Sequence, residues 1–155
     1  MNYSELHEDK KRGTFDFPIE LYYVEPGAPR YQMPLHWHLE YELILVLQGS
    51  FTLSLDGRQM ELQAGDSAWI ADGVIHGGAP HDCVVFDLGT LLQDTPVCTK
   101  SAAAFLASEN GFSGRLAKGS TEAALADRIF DAMEREQLGY EWTTVGLLWQ
   151  LLGCL

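Results

Sequence analysis

Apolar and polar positions alternate with a period of two through much of the chain before residue 98 and take up a helical period after it. Ile19 to Val24 (IELYYV) reads as a strand, and Pro26-Gly27-Ala28-Pro29 as a turn. His36 to Leu47 reads as a strand pair or one long bent strand. Its second half, Leu43 to Leu47, is apolar throughout, as expected where both faces are covered. Phe51 to Leu55 alternates, Asp56-Gly57 marks a tight hairpin, and Arg58 to Gln63 alternates again. Gly65-Asp66 and Asp72-Gly73 are further turns around the short strand Ala68-Trp69-Ile70, and Val84 to Asp87 closes the series. Short strands with regular turns predict an antiparallel barrel or flattened sandwich, and the lack of βαβ alternation excludes a doubly wound sheet.

Beyond residue 98 the pattern changes. Ser101 to Ser108 is alanine-rich and Asn110-Gly111 is a stop signal. Ser120 caps a predicted helix running to Leu138, with Leu125, Ile129 and Met133 on one face. Trp142 to Leu155 carries Trp142, Val145, Leu148, Trp149 and Leu152 on or beside one stripe, while Leu147 and Leu151 add a second apolar side. The chain thus divides into an arm (1–17), a mainly β, barrel-forming segment (18–98) and a helical subdomain (99–155).

Inside the β segment, His36, His38 and Glu42 share parity, so an extended strand points all three the same way. His76 follows beyond the predicted hairpin. Neutral imidazoles and a carboxylate are ordinary ligands for zinc, nickel, iron or manganese. The plain alternative is a set of barrel residues bonded to one another or to a ligand; buried and unpartnered they would be costly, so the cluster needs a partner. Trp37, Tyr41 and Trp69 are candidates for an aromatic wall around a small molecule, or for ordinary core packing. Gly49, Gly65 and Gly73 match no phosphate-binding spacing and read as turn glycines.

The spacing around these residues resembles the two motifs of the cupin superfamily. His36, His38, Glu42 and Gly49 match the first motif, although its opening glycine is displaced to Gly27. Gly65, Gly73 and His76 match the second, with Ala71 and Pro80 in place of its proline and asparagine. The phrases HWHLEYELILVLQGSFTLSLDG and LQAGDSAWIADGVIH look like the effector-binding domain of AraC-type transcriptional regulators. That resemblance implies a cupin-type antiparallel barrel followed by a helical dimerisation subdomain, and a metal set of His36, His38, Glu42 and His76. It also implies a small-molecule effector and a homodimer through Trp142, Val145, Leu148, Trp149 and Leu152. The terminal helix could instead cover its own barrel.

Ten basic residues oppose 22 acidic ones, giving a net charge of −12. Such a chain is not built to grip a phosphate backbone. DNA is therefore expected only through a helix-turn-helix region that this chain lacks, and the end at Leu155 fits a cut before such a region. No apolar run suits a membrane span and the N-terminus is polar, which gives a cytoplasmic expectation, and the AraC-type resemblance implies a bacterial source. Cys83, Cys98 and Cys154 match no ribbon or disulfide pattern and read as small apolar fillers; His7 and His81 read as surface residues. The expected role is a ligand-sensing, dimerising regulator domain without enzymatic function. The alternatives are a metal-dependent small cupin enzyme, a dioxygenase or isomerase, and a stable barrel that only dimerises.

Overall fold

The alternating segments assemble into two antiparallel sheets, and the helical ones cover the outside of one of them. The computed structural model describes residues 3–23, 33–78, 82–93, 99–106 and 113–155. Its strands are β1 (Ile19–Tyr22), β2 (Met33–His36), β3 (Tyr41–Leu45), β4 (Ser50–Leu55), β5 (Arg58–Gln63), β6 (Ser67–Ile70), β7 (His76–Gly78), β8 (Asp82–Phe86) and β9 (Gly114–Arg115). The helices are α1 (Leu88–Gln93), α2 (Thr99–Leu106), α3 (Thr121–Arg135) and α4 (Tyr140–Leu152). One sheet has the order β1-β8-β3-β6-β9 and the other β2-β7-β4-β5. The expected turn at Pro26–Pro29, the stop at Asn110-Gly111, and Cys98 and His81 lie outside the described residues.

Parity explains the layering. In β3, Ile44 joins Phe51, Leu53, Leu62, Ile70 and Val85 in a core drawn from both sheets. Its neighbours Leu43 and Leu45 point the other way, with Trp69, Val84 and Phe86, into a second core closed by Ile129 of α3 and Leu147, Leu148 and Leu151 of α4. The five-stranded sheet is therefore covered on both faces, which is why β3 is buried along its whole length. The hairpin between β4 and β5 turns at Asp56 (φ 45°) and Gly57 (φ 77°), two left-handed positions in succession as a tight two-residue turn demands.

The β and helical parts interlock. α1 starts at Leu88, ahead of residue 98, and β9 returns the chain to the sheet by pairing Ala68 with Arg115 and Trp69 with Gly114. Ser120 caps α3 as the sequence predicts, its hydroxyl accepting from the Ala123 amide at 3.1 Å. No helix among the described residues is long and apolar enough to cross a membrane.

Candidate metal centre

The two sheets bring four ligand-type side chains to one end of the inter-sheet space. His36 closes β2 and stands in register with His76 on β7. Glu42 lies on the face of β3 that looks toward the second sheet, between Ile70 and Val85. His38 sits in the connection between β2 and β3. One ligand atom from each of His36, His38, Glu42 and His76 lies within 4.8 Å of all the others. His38, Glu42 and His76 are buried and His36 is half-buried. The single-strand reading of this convergence needs correction. β2 ends at His36, the chain bends at Leu39-Glu40, and β3 begins at Tyr41, so a change of direction and not strand parity joins the histidines to Glu42.

The hydrogen bonds show why this set suits a cation. Nδ1 of His36 lies 2.9 Å from the Pro34 carbonyl, Nδ1 of His38 3.0 Å from that of Glu40, and Nδ1 of His76 2.9 Å from that of Val74. A carbonyl only accepts, so each Nδ1 carries the ring proton and donates it. In a neutral ring this leaves a lone pair on Nε2. Yet Nε2 of His38 and of His76 stand 3.2 and 3.1 Å from Glu42 Oε2. Lone pairs facing a buried carboxylate at that range repel unless positive charge sits among them, as an imidazole proton or as a metal ion. A ring nitrogen tied to a backbone carbonyl, with the other turned inward, is also how metal-binding histidines are oriented. The four residues form a cluster consistent with a divalent metal site.

Burial, and then the nearness of His76, hold the His36 pKa below its ordinary value. Burial also opposes a charge on His76, but the hydrogen bond and negative charge of Glu42 outweigh it and raise the pKa. A proton on His76 therefore competes with a metal ion for the ring. Metal affinity is expected to fall by about tenfold per unit as pH drops through the raised His76 pKa, a window that opens above the ordinary histidine value, and proton release on binding should be measurable by titration in buffers of different ionisation enthalpy.

A cavity of about 650 Å³ opens beside the cluster, lined by His36, His38, Glu42, Cys83, Arg12 and Tyr22 among others. Cys83, read from the sequence as filler, faces this space from β8. Burial and then Glu42, with which it shares a hydrogen bond, push its thiol pKa well up. The arm closes one side of this cavity with Leu6, His7 and Glu8. The Trp37 indole stacks with Tyr3 (4.6 Å) and His7 (4.2 Å) and donates to the Tyr3 carbonyl at 2.8 Å. Glu8 takes a hydrogen bond from Arg12, and its Oε2 lies 4.0 Å from His36 Nε2. The run Lys10-Lys11-Arg12 in so acidic a chain was the sequence signal for this part of the site.

The other sequence candidates are dispersed. Trp37 binds the arm. Tyr41 and Trp69 pack together, ring centroids 5.5 Å apart, in the core beneath the helices and do not line the cavity. Each is one residue out of phase with the inward face of its strand, and Glu42 and Ile70 hold the inward positions. Of the interface candidates, Leu148 is buried in the chain's own core, Val145, Trp149 and Leu152 are partly buried, and Trp142 is 86% exposed. The expectation of a chain without enzymatic function is corrected by the cluster itself. Three imidazoles and a carboxylate converging beside an open cavity are equipment for metal-assisted chemistry.

Residues 18–152 match the model of a family described as AraC-like ligand binding domain. A curated relative, the uncharacterized HTH-type transcriptional regulator YdeC of Bacillus subtilis (strain 168), is 30% identical over 77 residues, 48% of this chain and 25% of that protein. The match thus spans about a quarter of the relative's length. Partial likeness extends to solved structures. An RmlC-like cupin from Shewanella frigidimarina NCIMB 400 is 27% identical over 36% of this chain and 53% of its own, with a TM-score of 0.33. A Cupin 2 conserved barrel domain protein from Salinispora arenicola CNS-205 is 18% identical over 59% of this chain and 87% of its own, with a TM-score of 0.36.

Proposed function

The chain belongs to the AraC-like ligand binding domain family, and on that footing we propose that its four-residue cluster holds a divalent metal and makes the neighbouring cavity a metal-dependent site for a small molecule. The observation that carries this reading is the pair of inward Nε2 atoms at 3.2 and 3.1 Å from one buried carboxylate oxygen. His36, His38, Glu42 and His76 would hold the ion, and Pro34, Glu40 and Val74 would fix the rings through their carbonyls. A bound divalent ion supplies Lewis acidity toward an oxygen donor, with coordination positions left open for it. The sheets exclude water from the buried side, and the arm bounds the open side.

A ligand set that is complete and faces a cavity supports a catalytic reading, of the dioxygenase or isomerase kind that the cupin resemblance implies. The family match favours a second reading. The site would then sense a small-molecule effector within a homodimer, and DNA would be engaged by a helix-turn-helix region in a longer protein, as the name of the Bacillus relative suggests. A metabolite screen by thermal shift, on metal-loaded and chelator-stripped protein, tests the shared claim. Compounds that stabilise only the loaded form are expected. Following those compounds by NMR separates the readings, since catalysis consumes them and sensing leaves them intact. Stabilisation identical in both forms would contradict a metal-dependent site.

A further inference from the structure

Arg12 has an unusual setting. It is 6% exposed, lines the cavity, and keeps a buried Nε with no hydrogen-bond partner among the described residues. Its other nitrogens reach Glu8 and the Tyr22 hydroxyl, the latter at 2.5 Å. Lys10 donates to the same hydroxyl at 2.6 Å and lies 4.4 Å from the Tyr22 ring centre. Two cations thus converge on one phenol at the cavity wall, in a chain of net charge −12. Two acids meet this group: Glu20 shares a hydrogen bond with Tyr22, and Glu8 bonds Arg12 and spans the gap between it and His36 Nε2. A carboxylate placed there meets the guanidinium on one side and the metal cluster on the other. Leu6, Met33, Pro34, Leu35 and Val85 supply apolar wall around it.

We propose that the cavity takes a small carboxylic acid with a compact apolar body, whose carboxylate seats on Arg12 in the place now held by Glu8. Glu8 is then an internal competitor for that seat, and Tyr22 and Lys10 hold the guanidinium in position. The proposal rests on the metal-dependent site described above. It adds the charge and class of the molecule bound.

Calorimetric titration of metal-loaded protein with acetate, lactate and benzoate, and with their neutral amides, tests it. At least one acid should bind in preference to its amide. Arg12→Met should weaken acid binding by on the order of tenfold or more and leave amide binding unchanged. Glu8→Gln should tighten acid binding about two- to fivefold by removing the competing carboxylate. Metal content, measured on the same samples by elemental analysis, should be unchanged in both variants. If the wild-type chain proves to hold no metal, the proposed function fails, and the same titrations on the metal-free protein decide this inference by the same outcomes. Three outcomes overturn the inference: failure of all three acids to bind, equal loss of acid and amide binding in Arg12→Met, or weaker acid binding in Glu8→Gln.

Discussion

Replacing Glu42 with alanine is expected to lower divalent-metal affinity by at least ~100-fold, more than the roughly 10–100-fold that follows loss of a residue supporting a metal ligand. Glu42 supplies the only negative charge in the four-residue cluster, and its Oε2 is the atom that both His38 and His76 face. Without it the buried imidazoles have no anionic partner within the set to attract a cation. The readout is thermal stability. Metal at about 100 times its dissociation constant adds ~2.7 kcal/mol to the folded state, or roughly 5–10 °C for a chain of this size. That increment should vanish in Glu42→Ala, and the ion-free melting points of the two proteins should lie closer together than the loaded ones. A full metal-induced shift in Glu42→Ala would place the ion elsewhere.

The second large effect concerns α4. Leu148 is 2% exposed and sits with Ile129, Leu147 and Leu151 against the five-stranded sheet. Leu148→Glu buries a carboxylate among side chains that offer it no partner, and we expect more than about 4 kcal/mol of destabilisation and loss of the cooperative transition. Trp142→Glu acts on a residue in solvent and should change stability by no more than about 0.5 kcal/mol. The contrast matters for the proposed homodimer. Trp142 and the neighbouring Leu138 are the large exposed apolar residues at the start of α4. Sedimentation of Trp142→Glu therefore reads assembly without disturbing the fold: a shift from dimer to monomer is expected, and a monomeric wild-type chain would set the dimer aside.

Much of the two-sheet arrangement was visible in the sequence because period-2 alternation and turn residues act locally. Asp56-Gly57 turns the chain where its residue types require, and Ser120 caps α3 through its own hydroxyl. The metal cluster was visible through the spacing of His36, His38, Glu42 and His76, although the parity argument reached the right residues by a wrong path. The same parity, applied to Tyr41 and Trp69, would have turned them toward the helices, since Glu42 and Ile70 already occupy the inward positions of β3 and β6. The helical cover on that face was what a strand-by-strand reading lacked. Leu148 was misplaced for a related reason: a stripe shows that a face is apolar and not which layer receives it. For Arg12 and Glu8 the sequence offered only the basic run Lys10-Lys11-Arg12, because their role comes from tertiary placement of the arm beside β2.

His36, His38, Glu42 and His76 are proposed to hold one divalent ion. The most direct test is elemental analysis of chelator-stripped protein after equilibration with manganese, iron, nickel and zinc and removal of free metal by gel filtration. About one ion per chain in total is expected, with occupancy lost when His38 and His76 are both replaced by alanine. A wild-type chain that emerges with no bound ion, or a double variant that keeps its full complement, would contradict this assignment.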